Sequence, residues 1–180
     1  LDFFEGSRTG RLLRYDPATQ RTEVMMSGLF FANGVTLGPN EDYVLVNETG
    51  MGRVHRLWLK GDKAGQRDIF IDELPGTPDN IRFDGENTFW IAMPSLRASL
   101  DSLASLPRLR ALLSFLPIPL LEAAAQPASF VIGVNLEGEV VHNLQDQDNP
   151  FHYITGVTPC GDALYLGSLE TETIGILPKP

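Results

Sequence analysis

Hydrophobic positions along this chain fall into short runs rich in β-branched and aromatic residues, separated by polar turns of Gly, Pro, Asn and Asp. That is the pattern of strands. The runs repeat: Phe31-Ala32-Asn33-Gly34-Val35-Thr36-Leu37 aligns with Thr77-Pro78-Asp79-Asn80-Ile81-Arg82-Phe83 at an offset of 46 residues. The same offset carries Tyr43-Val44-Leu45-Val46 onto Phe89-Trp90-Ile91-Ala92, across the turns Gly38-Pro39-Asn40-Glu41-Asp42 and Asp84-Gly85-Glu86-Asn87. Each copy reads as one hairpin. A weaker third copy places Leu164-Tyr165-Leu166-Gly167, after the turn Pro159-Cys160-Gly161-Asp162, 75 residues beyond Phe89. The surplus of 29 residues marks an insertion at 97–126, where leucines recur at 100, 103, 106, 109 and 112 with helical spacing.

Further strands are expected at 11–15, 21–26, 53–59, 66–71, 130–136, 139–143 and 173–177, for thirteen in all. Four strands per period of about 45 residues is the signature of a propeller blade. The expected fold is therefore all-β, a β-propeller of which residues 1–180 supply about three blades, half of a ring if the complete propeller has six. A helical, lid-like insertion at 97–126 should interrupt one blade between its second and third strands. A half ring leaves an unpaired edge at each end, so closure should require the missing half or another chain.

Composition narrows the chemistry. The 43% hydrophobic content is that of a packed domain, and 14 Lys+Arg against 23 Asp+Glu give a formal charge of −9, which argues against a nucleic-acid partner. A single cysteine, Cys160, cannot close an intrachain disulfide, and the localisation stays open. The chain starts at Leu1 without a signal-peptide pattern and reads as truncated. Its longest apolar stretch, 103–121, is broken by Arg108, Arg110, Pro107, Pro117 and Pro119 and makes a poor membrane span. The leucine stripe in 97–121 could instead pack on the propeller, cover its channel mouth, or touch a membrane surface.

Four stretches resemble the strictosidine synthase-like family: Thr9-Gly10-Arg11-Leu12-Leu13-Arg14-Tyr15-Asp16, Phe31-Ala32-Asn33-Gly34-Val35, Leu74-Pro75-Gly76-Thr77-Pro78-Asp79-Asn80-Ile81-Arg82 and Leu164-Tyr165-Leu166-Gly167-Ser168-Leu169. The likeness covers nearly the whole chain and corresponds to the C-terminal half of such a protein. The resemblance implies kinship with six-bladed gluconolactonase and paraoxonase propellers, in which a central calcium is held by Asn, Asp and Glu oxygens. Asn33 and Asp79 match two of those ligands, and Asp79 is also the catalytic candidate. Repeat-equivalent positions in neighbouring blades would both point at the channel, and hard oxygen donors suit calcium. Asn-Gly and Asp-Asn are equally turn formers, so the spacing alone leaves both readings open. The remaining ligands would come from blades outside this segment.

The family's namesake condensation depends on a glutamate whose position here corresponds to Pro159, which cannot move a proton. The resemblance therefore favours a calcium-dependent hydrolase of small, apolar lactones or aryl esters, without strictosidine formation. The competing reading is a non-catalytic propeller that serves as a binding or membrane-associated module. Other residues carry less. Cys160 lacks a nucleophile's context, His55, His142 and His152 have no zinc spacing, and no Gly-x-Ser-x-Gly or phosphate loop occurs. Asn47-Glu48-Thr49 matches a glycosylation sequon at the end of an expected strand.

Overall fold

The computed structural model describes residues 7–97, 128–146 and 151–180. Among them are thirteen strands: β1 (Gly10–Asp16), β2 (Arg21–Leu29), β3 (Ala32–Leu37), β4 (Tyr43–Glu48), β5 (Arg53–Trp58), β6 (Arg67–Ile71), β7 (Ile81–Phe83), β8 (Phe89–Ala92), β9 (Phe130–Val134), β10 (Val140–Gln145), β11 (Ile154–Cys160), β12 (Ala163–Ser168) and β13 (Gly175–Pro178). They form four antiparallel sheets, β1-β2, β3-β4-β5-β6, β7-β8-β9-β10 and β11-β12-β13. Every strand pairs with its chain neighbour, the up-and-down order of propeller blades.

The second strands of the two complete sheets are buried along their whole length. This departs from the usual half-exposed antiparallel strand, because each sheet is covered on both faces. Alternate side chains therefore serve different interfaces. Tyr43 and Leu45 of β4 join Phe89 and Ile91 of β8 in one core, together with Phe130 and Ile132 of β9. Val44 and Val46 face the other way, onto Met26 and Leu29 of β2. Trp90 and Ala92 likewise leave the first core to pack on Ile154, Val157, Leu164 and Leu166 of the last sheet. Neighbouring blades are thus cemented by strands whose two faces are both apolar.

The hairpin repeat is realised with two adjustments. The first strand of the second copy narrows to β7, because Thr77 and Asp79 direct their N–H groups to the Ser95 and Ala92 carbonyls across an irregular stretch. In the third copy, strand β11 runs through Pro159 and Cys160, and only Gly161 and Asp162 are left to turn. Pro159 is tolerated because β11 is an edge strand, and Gly161 takes the positive φ of 56° that the tight turn needs.

The expected insertion connects β8 to β9, the second and third strands of their sheet. Its two ends meet, since Ala128 N–H donates to the Pro94 carbonyl at 2.9 Å. Residues 98–127, and with them the expected helix and the 97–121 leucine stripe, lie outside the described residues. No helix among the described residues is long and apolar enough to cross a membrane.

Candidate functional site

Strands β3 and β7 bring the two expected ligands together. Asn33 is the second residue of β3, and Asp79 lies two residues ahead of β7, the corresponding first strand of the next sheet. Gly34 makes the approach possible: a Cβ there would stand 2.4 Å from the Asp79 carbonyl oxygen and 2.7 Å from Asn80 Cα. With no side chain in the way, Gly34 N–H donates to the Asp79 carbonyl at 3.0 Å. The same inter-sheet bond recurs one blade on, where Asn80 N–H donates to the Thr155 carbonyl at 3.2 Å. Asn33, Asp79 and Thr155 therefore occupy equivalent places at the starts of three successive sheets.

The Asn33 side chain lies near enough to the Asp79 carboxylate to favour its charged form, yet burial dominates and holds that carboxyl above the usual aspartate range. No cation of the described chain offsets it: neither Lys nor Arg forms an ion pair with Asp79, and no neighbouring charge contributes to its shift. Asn80 Nδ2 lies 3.3 Å from Asp79 Oδ1 and donates mainly to the Thr155 carbonyl, at 2.8 Å. A half-buried carboxylate beside an amide, with no cation of the described residues paired to it, offers hard oxygens of the kind a divalent cation takes. Among the described residues no three His, Cys, Asp or Glu side chains gather into a metal cluster.

Behind these residues lies a polar block that composition and spacing do not reveal. Asn47, Glu48 and Thr49 are buried at the end of β4. Asn47 Nδ2 donates to the Asp79 carbonyl at 2.6 Å, and Thr49 Oγ1 to the Pro78 carbonyl at 2.6 Å. Glu48 accepts from Phe30 N–H at 2.7 Å, Arg53 Nε at 2.6 Å and His55 Nε2 at 2.7 Å. Burial pushes the Glu48 carboxyl up, but these hydrogen bonds outweigh it and leave the group below its ordinary value. The sequence reads this tripeptide as a sequon, whereas Asn47 has 0% exposure and its amide is committed to Asp79, so the folded chain offers no acceptor there. Only the continuous polarity of Asn47-Glu48-Thr49 directly after an apolar strand hints at it.

The other flagged residues stand apart from this centre. Pro159 pairs with Leu164 near the turn end of β11, and Cys160 is exposed beside it. His55 belongs to the Glu48 cluster, while His142 stacks on Trp90 at 5.2 Å and His152 meets Glu170 at 3.1 Å.

A sequence model described as strictosidine synthase matches residues 1–62. A strictosidine synthase-like protein of Arabidopsis thaliana, "Protein STRICTOSIDINE SYNTHASE-LIKE 6", is 38% identical over 170 residues, covering 94% of this chain and 44% of the relative. The chain belongs with the strictosidine synthase-like proteins. This strictosidine synthase-like chain spans less than half the length of the curated relatives it matches. Its fold is that of a gluconolactonase from Xanthomonas campestris, with a TM-score of 0.63 at 14% identity over 94% of this chain and 44% of the other. The calcium-binding protein regucalcin from Agrobacterium tumefaciens aligns with a TM-score of 0.61 at 13% identity, covering 93% of the strictosidine synthase-like chain and 47% of its own. The strictosidine synthase-like fold is thus a β-propeller, of which this chain makes about half.

Proposed function

We propose that this chain supplies half of the channel of a calcium-dependent hydrolase acting on small lactones, aryl esters or related apolar esters. The observation that carries this reading is the approach of Asn33 to a half-buried Asp79 carboxylate that no cation among the described residues neutralises. Both residues fit calcium, which takes 6 to 8 oxygen ligands and tolerates irregular geometry. Asp79 would contribute its carboxylate and Asn33 its carbonyl oxygen, with further donors from the remainder of the ring. Bound calcium would polarise the substrate carbonyl as a Lewis acid. Asp79, or an acidic residue from the rest of the ring, would orient the attacking water and accept its proton. The gluconolactonase and regucalcin likenesses support the same pairing of lactone chemistry with calcium. Pro159 has no ionisable group with which to serve an amine condensation.

The test is calcium titration calorimetry together with hydrolysis rates on a lactone and aryl ester panel with and without chelator, both read on a ring-closed protein that carries the chain. Asp79→Asn and Asn33→Ala should weaken calcium binding and turnover together, and Pro159→Ala should leave both intact. Chelator-insensitive turnover, or full activity in Asp79→Asn, would end the metal reading. Calcium binding without turnover on any substrate would favour a binding propeller with a structural ion.

A further inference from the structure

The segments that carry Asn33 and Asp79 belong to different sheets, and one tripeptide is bonded to both. On the Asp79 side, the Asn47 amide and the Thr49 hydroxyl donate to the consecutive carbonyls of Asp79 and Pro78, each at 2.6 Å. On the Asn33 side, Glu48 Oε1 takes the Phe30 N–H at 2.7 Å, and Thr49 N–H donates to the Phe31 carbonyl at 3.0 Å. Gly50 N–H adds a bond to the Phe30 carbonyl at 3.2 Å.

Backbone conformation shows what these bonds hold. Phe31, two residues before Asn33, has φ of 57°, in the left-handed region that a bulky L-residue seldom enters. Such a conformation persists only where its surroundings over-determine it, and here three hydrogen bonds from the 48–50 segment fix the Phe30-Phe31 peptides. Glu48 is held in turn by Arg53 and His55 of β5, so the clamp is anchored to the middle of its sheet rather than to a loop.

We infer that Asn47, Glu48 and Thr49 are positioning residues that fix the Asn33 side chain against the Asp79 carboxylate across the two sheets. This rests on the calcium-site reading for its functional consequence, though the geometric claim stands without it. Neither Glu48 nor Thr49 needs to touch the ion. Each acts through the backbone that carries a ligand.

The experiment compares Thr49→Val, which keeps the shape and removes the hydroxyl, with Thr49→Ser, which restores it, and with Glu48→Gln. Two readouts are taken on a ring-closed protein that carries the chain: amide hydrogen exchange, and calcium affinity with the metal ion alone. Thr49→Val should lower protection of Gly34 N–H, the donor to Asp79, by about tenfold. Protection of Leu45 and Val46 in the adjoining ladder should remain. Thr49→Ser should restore Gly34, and calcium affinity should fall and recover in parallel. Glu48→Gln should loosen the Phe30 and Asn33 side in the same way. If all ladder amides lose protection together, or if Gly34 protection is unchanged in Thr49→Val, the residues are merely structural and the inference fails. If Gly34 responds as expected but no variant, the parent included, binds calcium, the positioning clamp stands and the metal reading falls.

Discussion

Gly34→Ala probes the contact on which the candidate site depends. The added Cβ would meet three backbone atoms, Asp79 O at 2.4 Å, Asn80 Cα at 2.7 Å and Ile81 N at 2.8 Å. None belongs to a flexible side chain that can swing away. Restoring ordinary contact requires the two first strands to part by roughly 1 Å, a large displacement for atoms packed at interior density. Overpacking of this kind costs about 1–3 kcal/mol, and stretching the Gly34 N–H bond to Asp79 adds about 1 kcal/mol. For a chain of this size, a loss of about 2–4 kcal/mol lowers the melting temperature by roughly 5–15 °C. Gly167→Ala is the matched control: Gly167 lies in β12 without a positive φ, and a Cβ there meets nothing within 4 Å. It should melt within about 2 °C of the parent. Thermal unfolding followed by circular dichroism reads both variants, and calcium titration shows whether Asn33 and Asp79 have separated. A Gly34→Ala protein that melts like Gly167→Ala and binds calcium like the parent would refute the close approach of these strands.

Other outcomes follow from the charges. Because Glu48 lies below its ordinary carboxylate value when folded, its contribution is complete above the unfolded value of about 4.3 and is lost as pH falls through the folded one. Urea midpoints measured from pH 7 to pH 3 should show this loss, and Glu48→Gln should flatten it while costing about 3 kcal/mol at neutral pH. Asp79 has the opposite sign: its folded value is raised, so its contribution is complete below the unfolded value and lost as pH rises through the folded one. Asp79→Asn should therefore raise the melting temperature of the metal-free protein at pH 7 while weakening calcium binding, a stability gain that an aspartate kept for packing would not give. Arg56 forks onto Asp68 at 2.9 and 3.1 Å and lies 4.5 Å from the Trp58 ring centroid. Arg56→Lys cannot keep both contacts and should cost about 1–2 kcal/mol, read as a lower melting temperature.

The periodicity of the chain determined its architecture by itself. The 46-residue offset between Asn33 and Asp79 follows from a repeating hairpin, and a repeating hairpin buries its apolar faces by stacking copies around an axis. The resemblance to the strictosidine synthase-like family singled out both residues, and the offset agrees with it, because equal places in stacked repeats point the same way. Strand ends were less legible. The Pro159-Cys160 pair reads as part of a turn, and becomes strand because β11 is an edge that needs no ladder donor at proline.

Tertiary structure alone decided the rest. Asn47-Glu48-Thr49 has the composition of a solvated loop, and its burial depends on carbonyls 29 and 32 residues away and on the Phe30 N–H 18 residues before Glu48. No local pattern encodes such partners, since hydrogen-bond satisfaction is a property of what the fold brings near. The rise in proton affinity at Asp79 has the same origin. An aspartate after a proline is ordinary in sequence, and only the packing of one sheet against the next strips part of its water, with no cation of the described residues set against it.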